Sequence, residues 1–297
     1  MSIFTIDIKN ITLKTIITGA GGFLGKLIIK EISNRGYNSV AINRDLLYGS
    51  KETLSSAIAG TNALINLAGA PILQRWTKKN KNVIYNSRVI TVKNIVKAIR
   101  MVPEELRPKK IISASAIGIY RNNRLHDENS TDFEPGFLGN LVSSWESAWK
   151  ELPENVNLTI FRIAVVLGRE AVTVKKLVLP FRLGIGGTIG TGRQPFPFIH
   201  EKDASEAFMM ALEDRLPPGI YNLTAPNQIT NLDFTKALSK QMRMPAIFSI
   251  PAFVLKAFYG EAAGLLTKSP AVIPSKLTEA GFEFKYPAID DVLKNII

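Results

Sequence analysis

The chain of 297 residues is 46% hydrophobic and 21% charged, which marks a globular protein with room for one large α/β domain and a small appended lobe. It has no cysteine, so disulfides, thiol nucleophiles and thiolate metal sites are excluded and a cytoplasmic setting is expected, and its two histidines, His126 and His200, disfavour a histidine-rich metal centre. The formal net charge of +12 is read as a basic surface serving an anionic cofactor and substrate; nucleic acid is the less favoured partner, because the densest basic run, Lys78, Lys79 and Lys81, has no interleaved aromatic or glycine and reads as a solvated helix start.

The opening decapeptide MSIFTIDIKN lacks a basic stretch followed by an apolar run, so no secretory signal is expected. Strands are expected at Lys14–Thr18, Asn38–Ile42, Ala63–Leu67, Lys109–Ser113, Leu158–Arg162 and Ile220–Leu223, where β-branched apolar residues run together. Helix-like stretches separate most of them, the pattern of a doubly wound parallel sheet covered on both faces. The first helix starts near Phe23, gathers Leu24, Leu27, Ile28 and Ile32 on one face, and stops at Gly36. A long helix is expected over 79–100, another over 139–152 and a short one over 204–212. Beyond Ala225, prolines punctuate short elements, as in a small α+β lobe. The apolar segment Pro251–Leu266 is broken by Lys256 and Glu261, so it reads as a packed helix and not a membrane span. These elements divide the chain into a main doubly wound domain, 1–168 with 199–224, and a small substrate or cap lobe, 169–198 with 225–297.

The strongest local signal is Thr18-Gly19-Ala20-Gly21-Gly22-Phe23-Leu24-Gly25, between a strand and an amphipathic helix. Gly19 permits the tight turn, Gly22 lets the backbone approach a pyrophosphate, and Gly25 lets the helix pack on the sheet. The helix amides and dipole then hold the diphosphate. The spacing is GxxGxxG, not GxGxxG. The second strand ends Ile42-Asn43-Arg44-Asp45. Arg44 favours the extra phosphate of NADP, whereas Asp45 either serves NAD or pairs with Arg44.

Further motifs follow: Asn66 to Ile72 with Arg75-Trp76-Thr77, Ser87-Arg88, Ser113 to Tyr120, Trp145-Glu146, Arg162 through Gly168, Gly190 to Gln194, Ile199-His200, Gly260-Glu261-Ala262, and Gly281 to Pro287. In this order they resemble the sugar-nucleotide-epimerase-like proteins of the atypical short-chain dehydrogenase/reductase group, which carry a C-terminal domain of unknown function. The resemblance implies an extended Rossmann fold with NADP(H), or NAD(H), in the sheet crevice. It assigns Gly19, Gly21, Gly22, Phe23, Leu24, Gly25, Arg44, Asn66, Ala68, Gly69 and Arg88 to the cofactor, and Ser115 to the reacting oxygen. On their own, Asn66 also suits a turn and Ser115 a cap.

Active relatives add a tyrosine and a lysine one helical turn later, the lysine lowering the phenol pKa from about 10. Anchored on Trp145-Glu146, those positions are Val142 and Glu146, and the helix asparagine of many relatives falls on Ser87. Either another acid or base serves, from Tyr120, Glu146 and His200, or the protein binds NADPH without redox chemistry, as a sensor. Each candidate has a structural alternative: Tyr120 packs, Glu146 pairs with a cation such as Arg88, and His200 is a satisfied framework histidine. No GxSxG elbow surrounds Ser115, and no phosphate loop ends in lysine and serine, which disfavours hydrolase and kinase readings. The expectation is therefore an oxidoreductase or epimerase-like protein with a small-molecule substrate, no membrane partner and a possible homodimer.

Overall fold

The computed structural model describes residues 13–297, so the reading of the opening decapeptide lies outside the described residues. Six strands form one parallel sheet: β1 (Lys14–Thr18), β2 (Asn38–Ile42), β3 (Ala63–Asn66), β4 (Lys110–Ala116), β5 (Asn157–Ile163) and β6 (Gly219–Leu223). Their order across the sheet is β6-β5-β4-β3-β1-β2. All six lie where the β-branched runs put them. β4 and β5 extend further than expected because their pairing continues to Ala116 opposite Ile163. The chain moves outward from β1 to β2 and then returns past β1 to β3. Winding therefore reverses between β1 and β3, and a crevice opens at their carboxyl ends.

Strand alternation sorts the core into two layers. Ile16, Leu64, Ile111 and Ile160 face one side, while Ile17, Ile65, Ile112 and Phe161 face the other. Helix α1 (Phe23–Asn34) buries Gly25, Ile28 and Ile32 and ends at Gly36, whose φ of +76° suits glycine. The helix expected over 79–100 is one rod in three parts: α2 (Lys78–Tyr85), a π-helical turn at Asn86–Ile90, and α3 (Thr91–Met101). Helix α4 (Phe137–Ser147) starts and stops earlier than expected, and single turns carry the chain on to Leu152.

A third core joins the lobe to the sheet. Helix α5 (Val172–Arg182) packs Val174, Val178 and Phe181 against Leu167, Phe198 and the first residue of α1. Helix α6 (Glu201–Leu212) returns to the main body. Helix α7 (Asn231–Met242) opens with a capping box between Thr230 and Asp233. Gly187–Ile189 and Phe248–Ile250 pair as a two-stranded parallel ribbon. Leu277 and Phe282, late in the chain, pack back into the core against β6.

The packed helix expected over Pro251–Leu266 is not formed. Helix α8 (Ala252–Tyr259) buries none of its residues, and Phe253 and Phe258 are each 73% exposed. Gly260, at φ +61°, ends it, and short turns replace it through Thr267. Among the described residues no helix is long and apolar enough to cross a membrane.

Candidate functional site

The loop after β1 is built by glycine at the points where a side chain has no room. Gly19 has φ +70°, and a Cβ there would lie 2.5 Å from the Leu67 carbonyl oxygen, so the loops after β1 and β3 touch. A Cβ on Gly25 would lie 2.4 Å from the Gly19 oxygen, which fixes how closely α1 seats. The Gly22 amide donates to the Gly19 carbonyl at 3.0 Å and closes the turn. No side chain caps α1, and its first turn carries no acid. Above Gly21 an added Cβ meets no atom within 4 Å. The positive end of a 12-residue helix, with Phe23 and Leu24 in its first turn, therefore faces open space. Such a cradle fits a diphosphate.

Arg44 begins the short helix Arg44–Tyr48, which Asn43 caps through a bond from the Leu46 amide. Its guanidinium is exposed and lies 5.7 Å from the Tyr48 ring. Among the described residues it has no ion-pair partner, Asp45 included.

Asn66 is fully buried at the crevice end of β3. It accepts from Thr18 Oγ1 at 2.7 Å and donates to Ser113 Oγ at 3.2 Å, tying β1, β3 and β4 together. The chain continues through Ala68 to Gly69, where a Cβ would come within 3.1 Å of the Arg88 guanidinium. Arg88 donates to the Ala70 carbonyl at 3.1 Å and stands 5.3 Å from the Trp145 ring. Burial pushes its pKa down to about 10. Ser87 Oγ accepts from the Ala70 amide at 2.9 Å and donates to the Ile84 carbonyl. The π-helical turn thus presents Ser87 and Arg88 together to the crevice loop, in keeping with the frequent use of such turns at functional sites.

Ser115, 5% exposed near the end of β4, donates its hydroxyl hydrogen to Glu146 Oε1 at 2.6 Å. Glu146 does not pair with Arg88, as the sequence suggested. Its partner is Arg162, whose Nε and Nη2 meet the two carboxylate oxygens at 2.9 and 2.7 Å. The sheet explains the choice, since Ser115 and Arg162 are register neighbours on β4 and β5 and α4 carries Glu146 to both. Arg162 Nη1 donates to the Tyr120 hydroxyl at 2.8 Å, which donates to Asn222 Oδ1 at 2.8 Å. Burial works against the Arg162 charge, but the bonds and charge of Glu146 outweigh it and hold the guanidinium protonated.

The remaining candidates are framework groups. Tyr120 is fully buried and stacks on His126, and burial raises its phenol pKa despite Arg162. Val142 lies buried among Ile117, Ile119, Tyr120 and Ala164. His200 caps α6: its Nδ1 accepts from the Lys202 amide, its Nε2 meets Asn295 Oδ1, and its ring stacks on Tyr286. Burial pushes its pKa down to about 4, so it is neutral at pH 7. Among the described residues no cluster of three metal-ligating side chains occurs. The lysine run is not wholly solvated either. Lys81 Nζ pairs with Glu261 at 2.6 Å, and Arg75 Nη1 donates to the Ala257 carbonyl at 3.3 Å, so the segment after β3 holds the end of α8.

Sequence reasoning missed the Arg162 anchor. Its signal was present, because an arginine inside the apolar strand Leu158–Ile163 must find a buried acid.

Comparison with known proteins places this geometry. Residues 15–224 match the NAD dependent epimerase/dehydratase family, and residues 250–296 match a domain of unknown function, DUF1731. The epimerase family protein SDR39U1 of Mus musculus is 31% identical over 294 residues, 96% of this chain and 100% of that protein. The epimerase family protein YfhF of Bacillus subtilis is 30% identical over 295 residues, 94% of this chain and 96% of that protein. A crystal structure of human epimerase family protein SDR39U1 (isoform 2) with NADPH aligns at a TM-score of 0.88 and 30% identity, covering 95% of this chain and 98% of that one. With its Rossmann sheet, glycine cradle and C-terminal lobe, the chain belongs to the NAD dependent epimerase/dehydratase family.

Proposed function

We propose that this protein binds NADPH in the crevice between β1 and β3 and acts as an oxidoreductase on a small carbonyl or sugar-derived compound. The human relative crystallised with NADPH supports the choice of cofactor. The residues present fit it: amides of the Gly19–Gly25 loop for the diphosphate, Arg44 for the additional phosphate, and Ala68 and Gly69 for the crevice wall, with Asn66 below and Arg88 behind. When bound, the nicotinamide supplies hydride transfer.

The observation that carries the reading is the 2.6 Å bond from Ser115 to Glu146 at the end of β4. Because Ser115 directs its hydrogen at the carboxylate, its lone pairs remain for the proton of a substrate hydroxyl. In the oxidative direction that proton passes to Ser115 Oγ as the serine hydrogen passes to Glu146, leaving a carboxylic acid. Arg162 fixes both carboxylate oxygens and so holds Oε1 against the Ser115 hydroxyl. The serine–glutamate pair stands in for the missing phenol and ammonium.

A second reading, a non-catalytic NADPH-binding regulator, draws on Val142, which fills the phenol position with buried hydrocarbon. The test is calorimetric NADPH binding followed by turnover of a carbonyl panel by the wild type, Ser115→Ala and Glu146→Gln. Turnover lost in both variants with binding intact supports the oxidoreductase. Binding without turnover across the panel selects the regulator, and absence of binding rejects both.

A further inference from the structure

We propose that the outer edge of the lobe, formed by α5 and the adjoining ribbon, docks on an anionic lipid bilayer. Among the described residues, the large hydrophobics more than half exposed are, apart from Leu125, all on the lobe. Val172, Leu179 and Leu183 follow one another at helical spacing along one side of α5 and its end. The opposite side of α5 is the one packed into the core through Val174, Val178 and Phe181. A surface helix ordinarily turns polar residues outward, but the outer side of α5 and its end carry Val172, Leu179 and Leu183 beside its lysines. Pairing of Gly187–Ile189 with Phe248–Ile250 brings Ile185 and Ile247 to one end of the ribbon, and Ile247 is 80% exposed. A groove of about 630 Å³ beside α5 adds a recess, lined by Val178, Leu179 and Ile296 together with Arg169, Arg182 and the Lys175–Glu170 pair.

Charge identifies the occupant. Residues 172–197 and 229–268 carry nine lysines and arginines against two acids, so they hold more than half of the chain's excess of +12. Among the described residues, Lys175 alone of the nine pairs with a carboxylate, that of Glu170. Lys176 lies between Val172 and Leu179 in the exposed row, and Arg182 adjoins Leu183. An apolar stripe bordered by free cations is the pattern of a helix lying in a membrane interface, where hydrocarbon enters the acyl boundary and the cations meet anionic headgroups. A two-fold contact with a second copy would set the same cations against one another. A nucleic acid would neutralise the charge but leave the aliphatic row in water.

The test is co-sedimentation of the full chain with vesicles of phosphatidylcholine alone or mixed equally with phosphatidylglycerol. Binding is expected to the mixed vesicles only, to weaken as salt screens the cations, and to fall by about tenfold or more in Leu183→Asp/Ile247→Asp. The charge variant Lys176→Glu/Arg182→Glu, expected to lose binding likewise, keeps the test open if the first variant misfolds by circular dichroism. The proposal is overturned by no binding to anionic vesicles, by undiminished binding in a folded variant, or by a concentration-dependent dimer that Leu183→Asp/Ile247→Asp dissolves, which would show that a second copy covers this face.

Discussion

Replacing Arg162 with methionine removes the centre of the buried polar chain beneath the crevice. The Arg162 side chain is 5% exposed and that of Glu146 is 11% exposed. The substitution keeps most of the side-chain volume but deletes both bonds to Glu146 and the bond to Tyr120. Glu146 is left as a carboxylate held only by the Ser115 hydroxyl. Taking one partner from a buried pair costs about 3–5 kcal/mol, because the other charge stays out of water uncompensated. In a chain of this size each kcal/mol moves the midpoint of thermal unfolding by about 2 °C, so a fall of roughly 6–10 °C is expected. The double variant Arg162→Met/Glu146→Leu removes both charges and is expected to recover about 2 kcal/mol or more of that loss. Urea titration and calorimetry of the wild type, both single variants and the double give the coupling directly. A shift below about 2 °C for Arg162→Met, or a double variant no more stable than either single, would show that the pair is not the buried, mutually dependent unit described.

Other outcomes follow from the site. Arg44→Ala is expected to weaken NADPH about tenfold to a hundredfold, the worth of a charged hydrogen-bonded contact, and to leave NADH nearly unchanged; equal losses by calorimetry would remove the phosphate role. Gly21→Val adds side chain only to the open side of the loop, so dinucleotide affinity should collapse while the thermal midpoint stays near that of the wild type. For His200, the folded pKa of about 4 lies below the ordinary 6.5, so the neutral ring contributes stability above pH 6.5 that is lost as pH falls towards 4. That loss amounts to at most about 3 kcal/mol, and Asp203 opposes it in the carboxylate range because burial raises its pKa. His200→Asn, which can still cap α6, should flatten the decline in urea midpoint between these pH values.

Much of the fold was legible because it rests on local chemistry. β-branched runs located all six strands, and the glycine loop could be read since its backbone demands follow from neighbours in sequence. The partner of Glu146 was not legible, because Arg88 and Arg162 are equally plausible cations until the β4–β5 register is known. The break at Gly260 was hidden for another reason. The segment Pro251–Leu266 is apolar enough for a core helix, and only the tertiary structure reveals that, among the described residues, α8 has no fully buried side chain. His200 sits beside acidic residues in the sequence, yet its contacts are a backbone amide, an asparagine and a tyrosine ring.

Helix α8 has a thermodynamic consequence of its own. It buries no side chain, and the contacts joining its end to the segment after β3 are a surface ion pair, Lys81–Glu261, and one long bond from Arg75. A solvent-screened pair of that kind is worth about 1 kcal/mol or less. Amide hydrogens in 252–259 therefore exchange through local opening well before those of the sheet, and the stretch is open to proteolysis.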